Sequence, residues 1–410
     1  MKGKVPQITL LGSNSGNNAG DAAILASILD ILSKELPNAL FYVPTTNPEF
    51  IAKNYGALYN VIPVNIMPWT GSVRLLGIPT IKCFRKSDIA LICDGIIFDV
   101  KLFNPAFNFL ITLVPLVPLA KIFDCKLVCY STGIGPLQSP AGQWMAKYVM
   151  ENCDLLMMRE KDSLDLCRAV GVSKEIELTG DPAFLNRVSS TERASAILKE
   201  LGIEKDNFMG FNVTSYVDRW LDPNSRLSDK AAFFDIVLEG IRDASKLCGF
   251  KPLLFSTHPM DEDIAVRLAQ ALNTAAISSR QYLSHDIMAV MRECSLFMGM
   301  RFHSLVFASA VGVPILGLVY APKVRSYFRL LQTEQYGFEL KNISSDLLKA
   351  SIQKAWKEKE AIRAKQQKVV ENLKRGAKSA ARVLKERYFQ EYAVAMDSQR
   401  DNRTIAKAHS

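Results

Sequence analysis

The chain has 410 residues, 49% of them hydrophobic and 22% charged. That length suits two α/β domains of roughly 150–200 residues each, and that composition excludes disorder on a large scale. The formal net charge of +9 is placed unevenly: residues 347–410 hold 16 Lys+Arg against 7 Asp+Glu, so the excess sits on one C-terminal segment and the body is neutral.

In chain order, the start MKGKVPQITLLGSNSG has too short an apolar run for a signal peptide and leads into a Gly/Asn loop. Gln7–Leu11 reads as a strand, followed by a helix from about Asp21 to Leu36. Strands are predicted at Leu40–Val43 and Ile89–Cys93. The longest apolar stretch, Ala106–Ala120, is shorter than the roughly 20 residues a spanning helix needs; it reads as a buried helix, with a membrane-facing surface as the alternative. The strand Lys126–Tyr130 precedes a helix over Gln143–Asn152, and the strand Leu155–Arg159 precedes a helix over Asp162–Ala169. Alternating strands and helices predict a parallel, doubly wound sheet.

A less regular stretch, Pro182–Asn207, links to a second unit of the same kind. It runs strand Phe208–Val213, helix Lys230–Leu247, strand Pro252–Ser256, helix Asp261–Leu272, helix His285–Glu293, strand Leu296–Gly299, helix His303–Val311 and strand Pro314–Val319. The expected domains are 1–190, 205–345 and a basic helical tail, 346–410. Two Rossmann-like domains facing each other form a cleft, with ligands beyond the carboxyl ends of the strands. The eight cysteines, none in a C-x-x-C pair, read as buried free thiols in a reducing compartment. The protein is accordingly expected to be cytoplasmic.

Six loops carry candidate chemistry. In GSNSGNNAGDAAIL, Gly12, Gly16 and Gly20 permit a tight turn, Asp21 can cap the helix, and Asn14 and Asn17 add polar groups. A helix N-terminus there offers N–H groups to an anion or a sugar hydroxyl; a plain strand–helix turn is the alternative. STGIGPLQSP (Ser131–Pro140) is a second glycine loop. In MREKDS, Arg159 fixes a substrate anion or pairs structurally. In TGDPAF, Asp181 reads as a turn residue. In STHPMDED, His258 faces ligand, caps or packs. In MGMRFHSLVFASAVGVPILGLVYAPKV, Arg301 supplies a forked donor for phosphate or carboxylate, and His303 exchanges a proton near neutral pH. A purely structural pair is the alternative. Tyr320 and Lys323 occupy the next strand-end loop.

Together the loop ending in Gly20-Asp21, GIGPL at Gly133–Leu137, REKDS with GDPAF, and MGMRFHSLVFASAVGVPILGLVYAPK resemble the polysaccharide pyruvyl transferases over roughly residues 8–330. The resemblance implies two Rossmann-like domains similar to GT-B glycosyltransferases. It implies transfer of pyruvate from phosphoenolpyruvate to a sugar of a cell-surface polysaccharide precursor, with a cyclic ketal formed. Arg301 would hold the donor phosphate or carboxylate, His303 would be general acid or base, and Tyr320 and Lys323 would line the cleft. No metal or other cofactor is demanded. One departure is CDGIIFD, with Cys93 and Asp94 where the family usually has glycines. Competing readings are a GT-B glycosyltransferase using a nucleotide sugar and a non-catalytic saccharide-binding relative. The basic tail suggests peripheral contact with an anionic membrane surface, where acceptors are carried on lipid pyrophosphates; nucleic acid is not expected as a partner.

Overall fold

The computed structural model describes residues 1–3, 5–66, 77–104, 108–204, 207–214, 230–392 and 394–395. The chain divides into two compact units. One comprises Met1–Gly16, Ile24–Pro182 and the chain from Leu373 onward; the other comprises Asn17–Ala23 and Ala183–Asn372.

The first unit carries β1 (Gln7–Leu11), β2 (Leu40–Thr45), β3 (Val61–Asn65), β4 (Ile89–Ile92), β5 (Lys126–Thr132), β6 (Leu155–Met158) and β7 (Glu177–Leu178). They form one parallel sheet in the order β3-β2-β1-β4-β5-β6-β7. Its helices are α1 (Ala19–Glu35), α2 (Pro48–Tyr55), α3 (Ile78–Phe84), α4 (Leu110–Ile122), α5 (Pro140–Asn152) and α6 (Lys161–Ala169); the first turn of α1 counts with the second unit. Central strands such as Ile89–Ile92 are apolar at every position and buried throughout, as expected where helices cover both faces of a parallel sheet.

The second unit contains α7 (Thr191–Glu200), β8 (Phe208–Asn212), α8 (Lys230–Cys248), β9 (Lys251–Ser256), α9 (Glu262–Ala271), β10 (Ala276–Ser278), α10 (Ser284–Met291), β11 (Cys294–Gly299), α11 (Phe302–Ala310), β12 (Ile315–Val319), α12 (Pro322–Leu330), β13 (Gly337–Glu339) and α13 (Ser345–Lys357). Its parallel sheet runs β10-β9-β8-β11-β12-β13. In each sheet the order reverses direction at one place, between β1 and β4 and between β8 and β11. Such switch points open a crevice beyond the carboxyl ends of the strands.

The longest apolar stretch is the buried helix α4, with Leu113, Leu116 and Val117 in the core. Among the described residues no helix is long and apolar enough to cross a membrane. All eight cysteines are free, and seven are buried.

The described residues of the expected tail are divided between the two units. Helix α13 packs in the second unit, and the last helix, α14 (Lys359–Tyr388), passes from the second unit into the first at Leu373. Its Ala377, Ala380, Ala381 and Leu384 are buried. A Cβ on Gly376 would stand 2.7 Å from the Thr179 carbonyl oxygen, and one on Gly180 would stand 2.8 Å from the Ala377 nitrogen. Helix and TGD loop therefore meet backbone to backbone, which explains the glycine in that motif. The rest of the predicted tail, residue 393 and residues 396–410, lies outside the described residues.

Candidate functional site

The switch point of the second sheet is built from polar residues that end two apolar strands. Asn212 closes β8, and its Oδ1 accepts from the Arg301 backbone N–H (3.0 Å) and from Ser304 Oγ (2.9 Å). Its Nδ2 donates to the Phe255 carbonyl (2.9 Å). One amide thus ties β8, β9 and the start of α11 together. Arg301 holds the N-cap position of α11 in an extended conformation. Its guanidinium donates from Nε to Asp261 Oδ2 (2.8 Å), from Nη2 to Asp261 Oδ1 (2.6 Å) and from Nη2 to Thr214 Oγ1 (3.2 Å). Burial disfavours the charged guanidinium, but the hydrogen bonds and charge of Asp261, with Tyr320 adding, outweigh it, and the pKa lies above the ordinary arginine value. The Asp261 side chain is 0% exposed, the Arg301 side chain 20%. A forked, charge-assisted pair of this kind fixes the guanidinium in orientation.

Three further predicted residues join this cluster. His258 caps the short 3-10 turn Pro259–Asp261, its Nδ1 accepting from the Met260 N–H (3.1 Å). Burial pushes its pKa down to about 4, and the Arg301 and Lys323 cations act in the same direction, against the opposing charge of Asp261. At pH 7 the ring is neutral with its proton on Nε2, which makes it a hydrogen-bond donor without charge. Tyr320, at the end of β12, is coupled to Arg301 by hydrogen bonding and charge. Burial raises its hydroxyl pKa, Arg301 opposes the rise, and Asp261 adds to it. Lys323 is exposed at the start of α12.

His303 occupies the first turn of α11, edge-on to Phe302 with ring centroids 5.3 Å apart. Gly20 lies against its ring: a methyl on Gly20 would overlap Nδ1 and stand 2.8 Å from His303 Cβ. The loop is held there by the Ala19 N–H, which donates to the Thr257 carbonyl (3.0 Å). Gly20, Arg301, His303, His258, Tyr320 and Lys323 therefore all fall in one unit.

The other predicted residues have different surroundings. Asn14 is buried and donates through Nδ2 to the Leu10 and Pro44 carbonyls, so it braces backbone. Gly16 has φ +78° and packs against the Phe50 ring, a conformational and packing requirement. Asn17 is exposed. Capping of α1 belongs to Asn18, whose Oδ1 accepts from the Gly20 N–H (3.0 Å); Asp21 sits inside the first turn, where its charge favours the helix dipole. Gly12 lies beside Asp94 at the first sheet's switch point. A Cβ on Gly12 would be 2.8 Å from Asp94 Oδ2, the atom that accepts from the Ser13 N–H at 2.8 Å. Arg159 is buried, bonded from Nε to Glu160 (2.6 Å) and paired through Nη1 with Asp181 (3.1 Å). Despite the cost of burial its pKa is raised, by Glu160, Asp181 and Asp94. Its guanidinium lies on Gly133, where a Cβ would be 2.5 Å from Nη2. The sequence left open whether Arg159 binds substrate or pairs structurally; it forms ion pairs with Glu160 and Asp181 of its own unit.

Residues 18–322 match the polysaccharide pyruvyl transferase profile. The chain belongs to the polysaccharide pyruvyl transferase family. It is 22% identical over 387 residues to the amylovoran biosynthesis protein AmsJ of Erwinia amylovora, with 84% of this chain and 91% of that protein covered. Among solved structures it is similar to the UDP-GlcNAc 2-epimerase of Neisseria meningitidis (TM-score 0.57, 13% identity, 93% and 98% of the two chains covered). It is also similar to a glycosyltransferase of Rickettsia africae (TM-score 0.56, 12% identity, 93% and 98% covered). At such identities these neighbours establish the two-sheet, GT-B-like α/β fold alone. Family membership makes the chain a transferase of polysaccharide modification.

Within the family frame, the departure at Asp94 has a local explanation. Asp94 has φ +54°, the left-handed region that glycine enters freely and that Asp and Asn tolerate best among side-chain-bearing residues. Here the residue gains a carboxylate that clamps the Gly12–Ser13 turn. Asp261, Asn212 and Thr214 were not identified as site residues from sequence. Their signal was present in polar residues that close or follow apolar strands, at FMGFN-VT and in the STHPMDED loop.

Proposed function

We propose that the chain transfers pyruvate from phosphoenolpyruvate to two hydroxyls of a sugar in a cell-surface polysaccharide precursor, forming a cyclic ketal. The observation that carries this reading is the cluster of Arg301, Lys323 and neutral His258 beside His303 at the second switch point. A donor with a phosphate and a carboxylate needs fixed positive charge and uncharged donors around it, and preorganised groups do this at the least reorganisation cost. Arg301, held by Asp261, supplies the fixed charge. Lys323 and His258 Nε2–H add donors.

The reaction then runs as follows. His303 as general acid protonates the methylene carbon, which becomes the methyl group and leaves C2 cationic. One sugar hydroxyl adds to C2 and loses its proton to a base, the role His303 can now fill. The second hydroxyl attacks C2 as the C2–O bond to phosphate breaks, and its proton leaves with the phosphate. The products are the ketal and inorganic phosphate.

Phosphate release from phosphoenolpyruvate is measured across a panel of sugar acceptors, beside His303→Ala and Arg301→Ala. Both variants are expected to lose roughly 100-fold or more in kcat/KM; turnover like that of the unmodified chain in both would remove the site assignment. Parallel reactions with nucleotide sugars test the glycosyltransferase alternative. A soluble-enzyme reading with peripheral membrane contact accompanies the main one: Arg375, Lys378 and Arg382 are exposed at three- and four-residue steps on α14, a spacing that puts them on one face. Neutralising them should weaken low-salt binding to anionic liposomes, and unchanged binding would discard that contact.

A further inference from the structure

The first unit exposes an apolar surface that none of the site residues above uses. Helix α4 is apolar at every position but Thr112 and Lys121. It turns Leu113, Leu116 and Val117 into the core. On its other side Pro118 and Ile122 are exposed, and Ile111, Val114 and Pro115 are half-buried. Positions 111, 115, 118 and 122 follow the three- and four-residue steps that put them on one helix face, where a helix in water ordinarily carries charged residues. Helix α5 packs beside α4 and adds Trp144, 58% exposed, stacked on the half-buried Tyr148 with ring centroids 5.7 Å apart. The charge around these side chains is of one sign. Residues 77–87, 108–123 and 138–150 contain Lys82, Arg85, Lys86, Lys121 and Lys147 and no Asp or Glu, and all five cations are exposed. Glu151, at the far end of α5, accepts from the Ser173 N–H, and Asp124 and Asp154 pair with Lys126. Lys82 and Lys86, one turn apart, line an open groove of about 340 Å³ together with Ile62, Val64 and Ile78. Among the described residues no carboxylate lines it.

We infer that the outer side of helices α3 to α5 docks on a membrane surface rich in anionic phospholipid. The exposed apolar side chains of α4 enter the boundary between headgroups and acyl chains, and Trp144 and Tyr148 stand at headgroup level, where amphipathic rings are favoured. The lysines meet lipid phosphates, an attraction of about 1 kcal/mol for each cation near such a surface. The groove offers an anionic headgroup two cations beside an apolar wall. No helix among the described residues is long and apolar enough to cross a membrane, so the contact is a surface one. A second copy of the chain suits this face less well. Two-fold pairing lays a patch on itself, which here sets five cations against five with no carboxylate between them, and like charges facing each other disfavour a partner. The inference does not depend on the pyruvyl-transfer reading, and its surface is separate from the α14 contact.

Binding of the full chain to vesicles is measured by co-sedimentation, with Arg375, Lys378 and Arg382 neutralised so that the α14 contact does not contribute. Vesicles of phosphatidylcholine and phosphatidylglycerol in equal parts should bind the chain roughly tenfold or more tightly than phosphatidylcholine alone. Ile122→Ser combined with Trp144→Ala, both at exposed positions, should weaken that binding roughly tenfold or more. Lys82→Ala combined with Lys86→Ala should weaken it by a similar factor. Vesicles with brominated acyl chains should quench the tryptophan fluorescence of the chain, and the quenching should fall in Trp144→Phe. Absence of binding overturns the inference, as does binding that persists in the Ile122 and Trp144 double variant with native circular dichroism. If that variant does not fold, quenching that is unchanged in Trp144→Phe overturns it instead. Light scattering without lipid reads the other occupant: a dimer that the double variant dissociates would assign this face to a second copy and overturn lipid docking. Phosphate release from phosphoenolpyruvate with a water-soluble acceptor should be the same in the double variant as in the natural chain. Its absence from both would sink the pyruvyl-transfer reading alone.

Discussion

At the ends of β1 and β4 the first sheet's switch point holds a carboxylate, Asp94, clamped to the Ser13 N–H. At the ends of β8 and β11 the second holds a guanidinium, Arg301, clamped to Asp261. The backbone crevices are alike, and the charge placed in them is opposite. Around Asp94, three carboxylates share the buried Arg159; around Arg301, Lys323 adds a second cation and His258 stays neutral. Each place also has a glycine that a charged or aromatic side chain rests on, Gly133 under Arg159 and Gly20 under His303. One topology can thus serve two ligand chemistries, because the crevice comes from strand order and the selectivity from a few strand-end side chains.

The comparison is broken most forcefully at Asp261. Asp261→Ala leaves the Arg301 guanidinium without its fork, and removing one partner of a buried pair costs about 3–5 kcal/mol. Chemical denaturation should show a loss of that size. Asp261→Asn should fall between it and the unmodified chain, because the amide keeps one acceptor. A loss below about 1 kcal/mol for the alanine variant would mean that Arg301 is positioned by Asn212 and Thr214 instead.

Next in size are the two glycines. Gly133→Ala forces a methyl into the Arg159 guanidinium and should cost about 1–3 kcal/mol of stability, read as a lower denaturation midpoint. Gly20→Ala pushes on the His303 ring. It should lower kcat/KM for phosphate release by roughly 100-fold, since small displacements of reacting groups carry costs of that order. The asymmetry is the point: the first substitution is expected to act on stability and the second on rate. Equal rate losses with no stability change in either would refute the different roles assigned to Arg159 and His303.

Much of this was legible before any coordinates. The central strands appear as unbroken apolar runs because helices cover both faces. Arg301 and His303 stood out because polar residues interrupt an otherwise apolar strand–helix passage. What escaped is tertiary. β3 carries Pro63, which reads against a strand, yet it is tolerated at the sheet's edge. β7, β10 and β13 are two or three residues long and leave no periodicity. Helix α12 was missed behind the YAPK loop. The Arg301–Asp261 pair joins residues 40 apart in sequence, and no local pattern announces it. The buried donors of Asn14 could not be told from ligand-facing ones, because an Asn in a glycine loop suits either use.

A finer distinction comes from Asp94. Asp94→Gly relieves the left-handed backbone of its side chain but removes a charge-assisted acceptor from the Ser13 N–H. The lost bond is worth about 1.5–3 kcal/mol and the regained freedom about 1 kcal/mol. A net loss of about 1 kcal/mol is expected, with Asp94→Asn closer to the unmodified chain because asparagine accepts the same bond and tolerates φ +54°. A glycine variant more stable than the natural chain would show that the carboxylate is kept for ligand and contributes nothing to the turn.

The effect that is smallest near neutral pH, and the one that tests whether burial and charge at the second switch point hold the ring neutral, is the titration of His258. Its pKa is about 4 in the folded chain and about 6.5 unfolded. The folded pKa is the lower, so the unfolded chain binds the extra proton, and this histidine's contribution to stability is full above pH 6.5 and is lost as pH falls toward 4. His258→Asn keeps an acceptor for the Met260 N–H and removes the titration. The stability difference between the natural chain and this variant should be flat from pH 8 to 7. By pH 6 it should have narrowed by roughly 0.8 kcal/mol, the amount that pKa values of about 6.5 and 4 give through linkage. A difference that stays flat down to pH 5 would mean that the ring is not held neutral. The burial that chiefly lowers its pKa, and the Arg301 and Lys323 cations that add to it, would then not act on the ring as described.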